Sequence, residues 1–209
     1  LIEIRPVRGI EEMLEVERLQ QEVWAVVDRE IVPALHFIPA TAVGAILIGA
    51  FDGPRMIGFV YGFPGFEGGE RIIHSDMLAV LPGYRDRGLG RRLKLAQRDA
   101  ALAAGISRIT WTFDPRQARN AHLNLNILGA TADRYLRNYY GTTSSPLHSG
   151  GTDRLWVTWD LRDRKTYRPI ASLALDASAG EFEAAFARGL LITAFDRQKG
   201  DYALSRPDA

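Results

Sequence analysis

The sequence predicts a mixed α/β domain, a central β-sheet of mixed strand direction covered by helices. Two observations lead there. The early apolar strands are joined by tight-turn residues and read as hairpins, whereas the later strands are separated by long helical stretches that act as crossovers. At 209 residues the chain can also bury a substantial core, so one domain, or one domain plus an appendage, is expected.

The elements follow in order. Ile2 to Val7 alternates and reads as a strand, with Pro6 near its end. Glu11 to Ala25 carries Met13, Val16, Leu19 and Val23 at helical spacing. Asp28 to Thr41 holds Pro33 and Pro39 and reads as a short helix or a loop. Ala45 to Phe51 is a continuous apolar strand, Asp52-Gly53-Pro54 a turn, and Met56 to Phe63 the returning strand. Pro64 to Gly69 reads as a glycine-rich loop and Arg71 to Val80 as the next strand. Gly88 to Ala104 is an amphipathic helix stopped by Gly105. Ile106 to Phe113 is β-branched and aromatic, hence a strand. Pro115 to Leu128 reads as a helix ended by Gly129. Thr131 to Tyr140 and Leu155 to Leu161 read as strands joined by a polar loop. Arg162 to Tyr167 is a charged linker. Beyond it come a strand (Ile170 to Leu175), a helix (Ala179 to Arg188) and two strands (Leu190 to Phe195, Asp201 to Leu204), a small βαββ appendage expected to dock on the main sheet.

Composition excludes several functions. Lysine and arginine number 26 against 25 aspartates and glutamates, so no general basic field argues for nucleic acid. There is no cysteine, which removes disulfides, zinc thiolates and a thiol nucleophile. His36, His74, His122 and His148 lack metal-ligand spacing, and no metal is expected. No apolar run approaches a membrane span, and no secretory signal is visible, so no membrane partner and a cytoplasmic protein are expected.

The most informative stretch runs from Val80 through Leu93. A strand ends, a turn follows, and Gly88 and Gly90 open a helix. Free N–H groups at such a helix start form an anion site. Arg91, Arg92 and Lys94 crowd the first turn, where the helix dipole disfavours cations. A polyanion above that turn would account for them, and a solvated helix face is the alternative for each base singly. The glycines do not fit a Walker A loop, because Leu89-Gly90 follow Gly88 where lysine and a hydroxyl are needed. They do not fit a dinucleotide turn either, because Leu93 holds the third glycine place. What remains is Arg-x-x-Gly-x-Gly at Arg85, Gly88 and Gly90.

That pattern, preceded by Met-Leu-Ala-Val-Leu-Pro-Gly-Tyr at 77–84, resembles the acyl-CoA-binding segment of the GNAT N-acyltransferase superfamily. The element order over about residues 1–162 is similar to the GNAT fold. The segments at 109–115 and 119–126 resemble a poorly characterised branch of predicted GNAT acetyltransferases. The resemblance implies an acyltransferase domain over 1–162, an appendage over 163–209, and acetyl-CoA or another acyl-CoA as co-substrate. It also implies parallel strands, Arg71–Val80 and Ile106–Phe113, that splay apart at their ends. The pantetheine arm would lie against Leu78, Ala79 and Val80. The pyrophosphate would take N–H donors from Arg85, Asp86, Arg87, Gly88, Leu89, Gly90 and Arg91, with Arg92 or Lys94 adding screening. Asn120 is a further cofactor contact. The acceptor would be a small-molecule or peptide amine, and a homodimer is compatible with the pattern.

Acyl transfer to an amine needs a base, because a lysine-type amine has a pKa of about 10.4. Asp76 and His74 are the candidates. The strand should read apolar yet begins His-Ser-Asp, and period two puts His74 and Asp76 on the face of Leu78 and Val80. A His–Asp structural pair or exposure at the strand start is the alternative. The resemblance implies an acid at the place of Asp76 and a tyrosine acid at the place of Leu125, which is a departure. Tyr135, Tyr139 or Tyr140 could substitute, or no side-chain acid is used, or the chain is a catalytically lapsed CoA-binding sensor or scaffold. Asn124 and Asn126 flank Leu125 as substrate-binding or merely exposed residues. The resemblance also puts Trp24, His36 and Phe37 beside the acceptor, with packing in the core as the alternative for Trp24 and Phe37.

Overall fold

The computed structural model describes residues 1–162 and 166–207. The middle of the expected linker, 163–165, lies outside the described residues. The chain has an α/β fold, a central β-sheet flanked by helices, and it clusters into two compact units. The first is Leu1–Ile109 with Thr142–Gly150, and the second is Thr110–Gly141 with Gly151–Ala209.

The first unit is built on an antiparallel meander of β1 (Glu3–Pro6), β2 (Ile46–Asp52), β3 (Arg55–Glu67) and β4 (Glu70–Val80). Helix α1 (Gly9–Trp24) turns Met13, Val16 and Leu19 into the core. Its first-turn Glu12 takes a 2.7 Å ion pair from Arg5 and the Arg8 N–H, so a carboxylate meets the positive end of the helix. Between α1 and β2 the ambiguous proline segment contains a single turn at Asp28–Glu30 and then α2 (Ala34–Ala42). Helix α3 (Leu89–Ala103) buries Leu89, Leu93 and Ala101. The all-apolar run of β2 is covered on both faces, and every residue from Ile46 to Phe51 is buried.

Two departures in the β3–β4 hairpin matter for the site. The expected loop over Pro64–Gly69 is instead a continuation of β3 to Glu67, paired residue by residue with the start of β4. Only Gly68 and Gly69 turn, with φ of 57° and 82°, the two-residue turn that glycine permits. Further along, Tyr61 pairs Met77 but Phe63 pairs His74, so Gly62 alone faces both Ser75 and Asp76. This is a β-bulge carried by β4. Cross-strand partners share a face, and so do residues two apart on one strand. His74 and Met77 therefore both take the face of Tyr61 and Phe63, and the simple alternation predicted for His74, Asp76, Leu78 and Val80 does not hold.

The second unit contains the end of β5 (Arg108–Phe113), then α4 (Ala118–Ala121), which continues as a π-helical stretch, His122–Ile127. The helix expected from Pro115 starts late because Asp114 Oδ1 accepts the Arg116 N–H at 2.9 Å and holds a turn there. Strand β6 (Thr131–Leu136) pairs β7 (Arg154–Asp160) and stops short of Tyr140. Asn138 adopts a left-handed φ of 45° and gives its N–H to Asp153, which turns the chain. The C-terminal βαββ segment comprises β8 (Pro169–Ala174), α5 (Ala179–Ala187), β9 (Leu191–Asp196) and β10 (Asp201–Ser205). Strand β10 lies between β8 and β9, and β9 meets β6 at Ala132↔Ile192. A Ser178–Glu181 capping box starts α5, and Phe182 stacks on Tyr135 at 5.1 Å. Tyr202, fully buried, donates to the Pro115 carbonyl.

The bulge requires a glycine at its centre. A Cβ on Gly62 would lie 2.7 Å from Gln97 Nε2, 2.8 Å from Ile73 Cγ2 and 2.9 Å from the His74 carbonyl oxygen. Gly62→Ala is expected to lower stability by about 1–3 kcal/mol in urea unfolding. Gly83→Ala, which meets nothing within 4 Å, is the control and should leave the midpoint unchanged.

Candidate functional site

The end of β4 is pinned before the glycine loop begins. Leu81 N–H donates to Ile57 O at 2.9 Å, and Pro82–Tyr84 forms a single 3₁₀ turn. Tyr84 OH donates to Asp52 Oδ2 at 2.8 Å, tying the turn to the β2–β3 hairpin, and the Arg87 guanidinium lies 5.6 Å over the Tyr84 ring. Asp86 and Gly88 take left-handed φ values of 62° and 71°. Gly88 is the N-cap of α3, and no side chain caps that end. The N–H groups of Leu89, Gly90 and Arg91 thus begin a helix with no carbonyl behind them. Open space surrounds the place of a Gly88 Cβ, so glycine is favoured there by φ rather than by crowding.

The cations of this segment divide into different roles. Arg85 donates its N–H to Pro82 O at 3.2 Å and its Nε to Val80 O at 3.1 Å, so it braces the turn and its amide is already engaged. Arg92 reaches away to the Ile2 carbonyl at 3.0 Å. Lys94, expected near phosphate, is instead 3 % exposed and points inward. Its Nζ donates to Ser75 Oγ at 2.9 Å and to Gln97 Oε1 at 3.1 Å, and burial holds its pKa down to about 7. Arg87 and Arg91 remain exposed at the loop.

On β4 the candidate bases have different surroundings. Asp76 is open to water, yet protein mass surrounds it closely enough to raise its carboxyl above the ordinary aspartate range, with the His36 charge opposing. The His74 imidazole is held below its usual value by burial and by the Lys94 charge, with Glu67 opposing. Its ring lies 5.5 Å from Phe63. Leu78 and Val80 are half-buried and Ala79 is buried, paired with Val60, Gly58 and Phe59 of β3.

A third group joins these two. His36 Nε2 and Tyr61 OH are 3.1 Å apart in a hydrogen bond, and Tyr61 packs against Phe37 at 5.0 Å and Phe63 at 6.3 Å. Burial, together with the Asp76 charge, raises the Tyr61 phenol. Phe37 is fully buried and belongs to the core, while Trp24 packs edge-on to Phe59 at 6.0 Å. Sequence reading missed Tyr61, Ser75 and Gln97, and it gave Lys94 a phosphate-screening role in place of the buried one. The spacing from Leu93 and Lys94 to Gln97 was a usable signal, since it places two polar residues on the buried stripe of α3.

The remaining sequence candidates lie in the second unit. Asn120 is exposed on α4. Leu125 is 2 % exposed in the π-helical stretch, Asn124 is buried, and Asn126 Oδ1 accepts the Phe195 N–H at 3.1 Å. The two asparagines are therefore packed, neither merely exposed nor free for substrate. Tyr135 OH donates to Asp153 at 2.7 Å and its phenol is pushed up by burial and that bond, while Tyr140 OH meets Thr112 Oγ1 at 3.2 Å. Among the described residues no cluster of three His, Asp or Glu could hold a metal ion, and no helix is long and apolar enough to cross a membrane.

Comparison with known proteins agrees with this geometry. The family model described as Acetyltransferase (GNAT) family matches residues 10–126. The ribosomal-protein-S18-alanine N-acetyltransferase of Escherichia coli superposes with a TM-score of 0.59 at 17% identity, covering 80% of this chain and 100% of that one. An acetyltransferase of GNAT family from Streptococcus pneumoniae gives 0.60 at 15% identity, covering 76% and 98%. Arabidopsis thaliana Naa50, in complex with the bisubstrate analogue CoA-Ac-MVNAL, gives 0.56 at 18%, covering 75% and 97%. No protein of curated function matches the sequence.

The buried lysine has a measurable signature. Its folded-state pKa of about 7 lies below the ordinary lysine value of 10.5. Between those values the unfolded chain holds a proton that the native chain has released, so stability rises with pH across the window and is lost as pH falls toward 7. Urea unfolding of wild type and Lys94→Met at pH 7 and pH 9.5 should show wild type gaining on the variant at the higher pH. An identical difference at both values would remove Lys94 as the cause.

Proposed function

The chain belongs to the GNAT acetyltransferase family, and on that premise we propose that it moves an acyl group, in the first place acetyl, from coenzyme A to an amine by direct attack. The observation that carries the reading is the uncapped start of α3 behind the left-handed Gly88, set directly after β4. The residues suit the co-substrate. Amides of Gly88, Leu89, Gly90 and Arg91 would receive its pyrophosphate, with Arg87 and Arg91 supplying exposed positive charge. Leu78, Ala79 and Val80 would border its pantetheine arm. When bound, coenzyme A supplies the activated thioester and a thiolate leaving group.

Asp76 is assigned as the base. The acceptor arrives largely as an ammonium ion, with a pKa of about 10.4, and must be neutral to react. A carboxylate attracts that cation and accepts its proton, and raising its pKa brings it closer to the proton it must take. His74, held below its usual pKa by burial and the Lys94 charge, is kept as a second candidate base on the other side of the bulge. The amine nitrogen forms the new bond to the acyl carbon, the carbon–sulfur bond breaks, and sulfur keeps the electron pair. The bulge at Ser75–Asp76 interrupts the ladder, which supports an N–H donor there for the developing oxyanion. A thiolate with a pKa of about 8.5 can leave without an acid, which fits the buried Leu125.

The same Leu125 favours a second reading, a CoA-binding sensor without turnover. Thiol release from acetyl-CoA with a panel of amines separates the two, because a sensor binds CoA in a calorimeter yet releases no thiol. Asp76→Asn should reduce kcat by about 10²–10⁴-fold while leaving the CoA dissociation constant unchanged. Gly88→Ala, forced into the left-handed region, should weaken CoA binding by about tenfold. Unchanged turnover in the first variant would remove Asp76 as the base, and unchanged affinity in the second would remove the loop as the anion site.

A further inference from the structure

We infer that Lys94 is a positioning residue for Asp76: from the buried side of α3 it holds Ser75, and with Ser75 the bulge of β4 from which the neighbouring carboxylate acts. The role rests on the acyltransferase reading of the same site and adds a residue to it. Helix α3 turns Leu89, Leu93, Lys94, Gln97 and Ala101 inward. An aliphatic side chain at position 94 would fill that stripe without loss of hydration, whereas an amine there must be stripped of water. The burial that holds the Lys94 amine down to about 7 is the mark of that cost. The contacts of its nitrogen show what the amine adds. Nζ donates to Ser75 Oγ at 2.9 Å and to Gln97 Oε1 at 3.1 Å. Both partners are themselves buried, so the bonds joining α3 to β4 run through a water-poor interior, where they are strong.

Ser75 is the point at which such a hold has most effect. It shares the bulge with Asp76, opposite Gly62 and between the pairs Tyr61↔Met77 and Phe63↔His74. An extra residue disrupts the ladder locally, so main-chain pairing with β3 does not by itself fix how these two residues are turned. A slip of one residue would also carry side chains to the opposite face. Tying the Ser75 side chain to α3 fixes the peptide that leads into Asp76, which stays exposed at the break. Gln97 closes the clamp. Its Nε2 occupies the space where a Gly62 Cβ would come within 2.7 Å, and it is buried with no hydrogen-bond partner. Turning the amide over would aim its NH₂ group at the Lys94 amine and lose the Oε1 bond. The unsatisfied donor is therefore the cost of keeping Lys94 in place on Ser75.

The test is steady-state thiol release by the full chain with acetyl-CoA and phenethylamine, spermidine, glucosamine or an alanyl peptide as acceptor. On an amine that turns over, Lys94→Met and Ser75→Ala should each lower kcat by about 10–100-fold, with the acceptor KM and the calorimetric CoA dissociation constant unchanged. The double variant should lose no more than the worse single one, because both changes cut the same link. Ser75→Thr, which keeps the hydroxyl, should retain most of the wild-type kcat, and Ser75→Val, of the same shape without it, should not. If Lys94→Met does not fold, the serine series decides alone. An unchanged kcat in Ser75→Ala, equal kcat in the Thr and Val variants, or a loss carried by KM or CoA affinity overturns the positioning role while leaving acyl transfer standing. No thiol release with any of the four amines removes the acyltransferase reading, and the role assigned to Lys94 falls with it.

Discussion

The site depends on the slipped register between β3 and β4. One residue of β3, Gly62, answers two of β4, Ser75 and Asp76, and the slip is locked from one side by α3. Lys94 grips Ser75 and Gln97, and Gln97 fills the space that a side chain on Gly62 would need. The Gln97 Nε2 atom is buried without a hydrogen-bond partner, a cost accepted beside the bulge rather than in ordinary core. Were the ladder regular, His74 would share a face with Asp76. With the slip, His74 joins the aromatic face of Tyr61 and Phe63, and Asp76 is left at the break.

Charge around the break is arranged by burial more than by pairing. Burial is the largest influence on Lys94, His74, Asp76 and Tyr61 alike. Each is shifted toward its neutral form, so the region resists ionisation while keeping several proton-accepting groups close together. The uncapped start of α3 behaves differently. There the backbone supplies the positive potential, Gly88 sets the direction of the amides, and Tyr84 with Asp52 holds the turn in place. The middle of β4 and the turn beyond its end are thus held by separate devices.

The meander was legible because its signals are local. The turn at Asp52-Gly53 and the apolar runs on either side fix the β2–β3 hairpin, and Leu89 and Leu93 mark the buried stripe of α3. The bulge was not legible, because His74, Ser75 and Asp76 are all polar and leave no apolar residue to report which face each takes. Lys94 was assigned to phosphate from its nearness to the helix start, although its angular position places it with the core. The His36–Tyr61 bond joins residues far apart in the chain, and no local pattern announces it. The contact of Asn126 in the π-helical stretch with Phe195 is likewise long-range and has no local signal. The loop amides were readable from glycine spacing, but the engagement of Arg85 with Pro82 and Val80 was not.

The sealing of Lys94 has a chemical consequence. An amine that sheds its proton near neutrality is a nucleophile, and a neutral lysine beside an activated ester is the ordinary starting point of accidental self-modification. Here that nitrogen is enclosed by Ser75, Gln97 and the strand above them, so no carbonyl carbon can approach it along a productive line. A protein built to handle energised acyl groups in this way stores a reactive amine in its own interior without becoming its own victim.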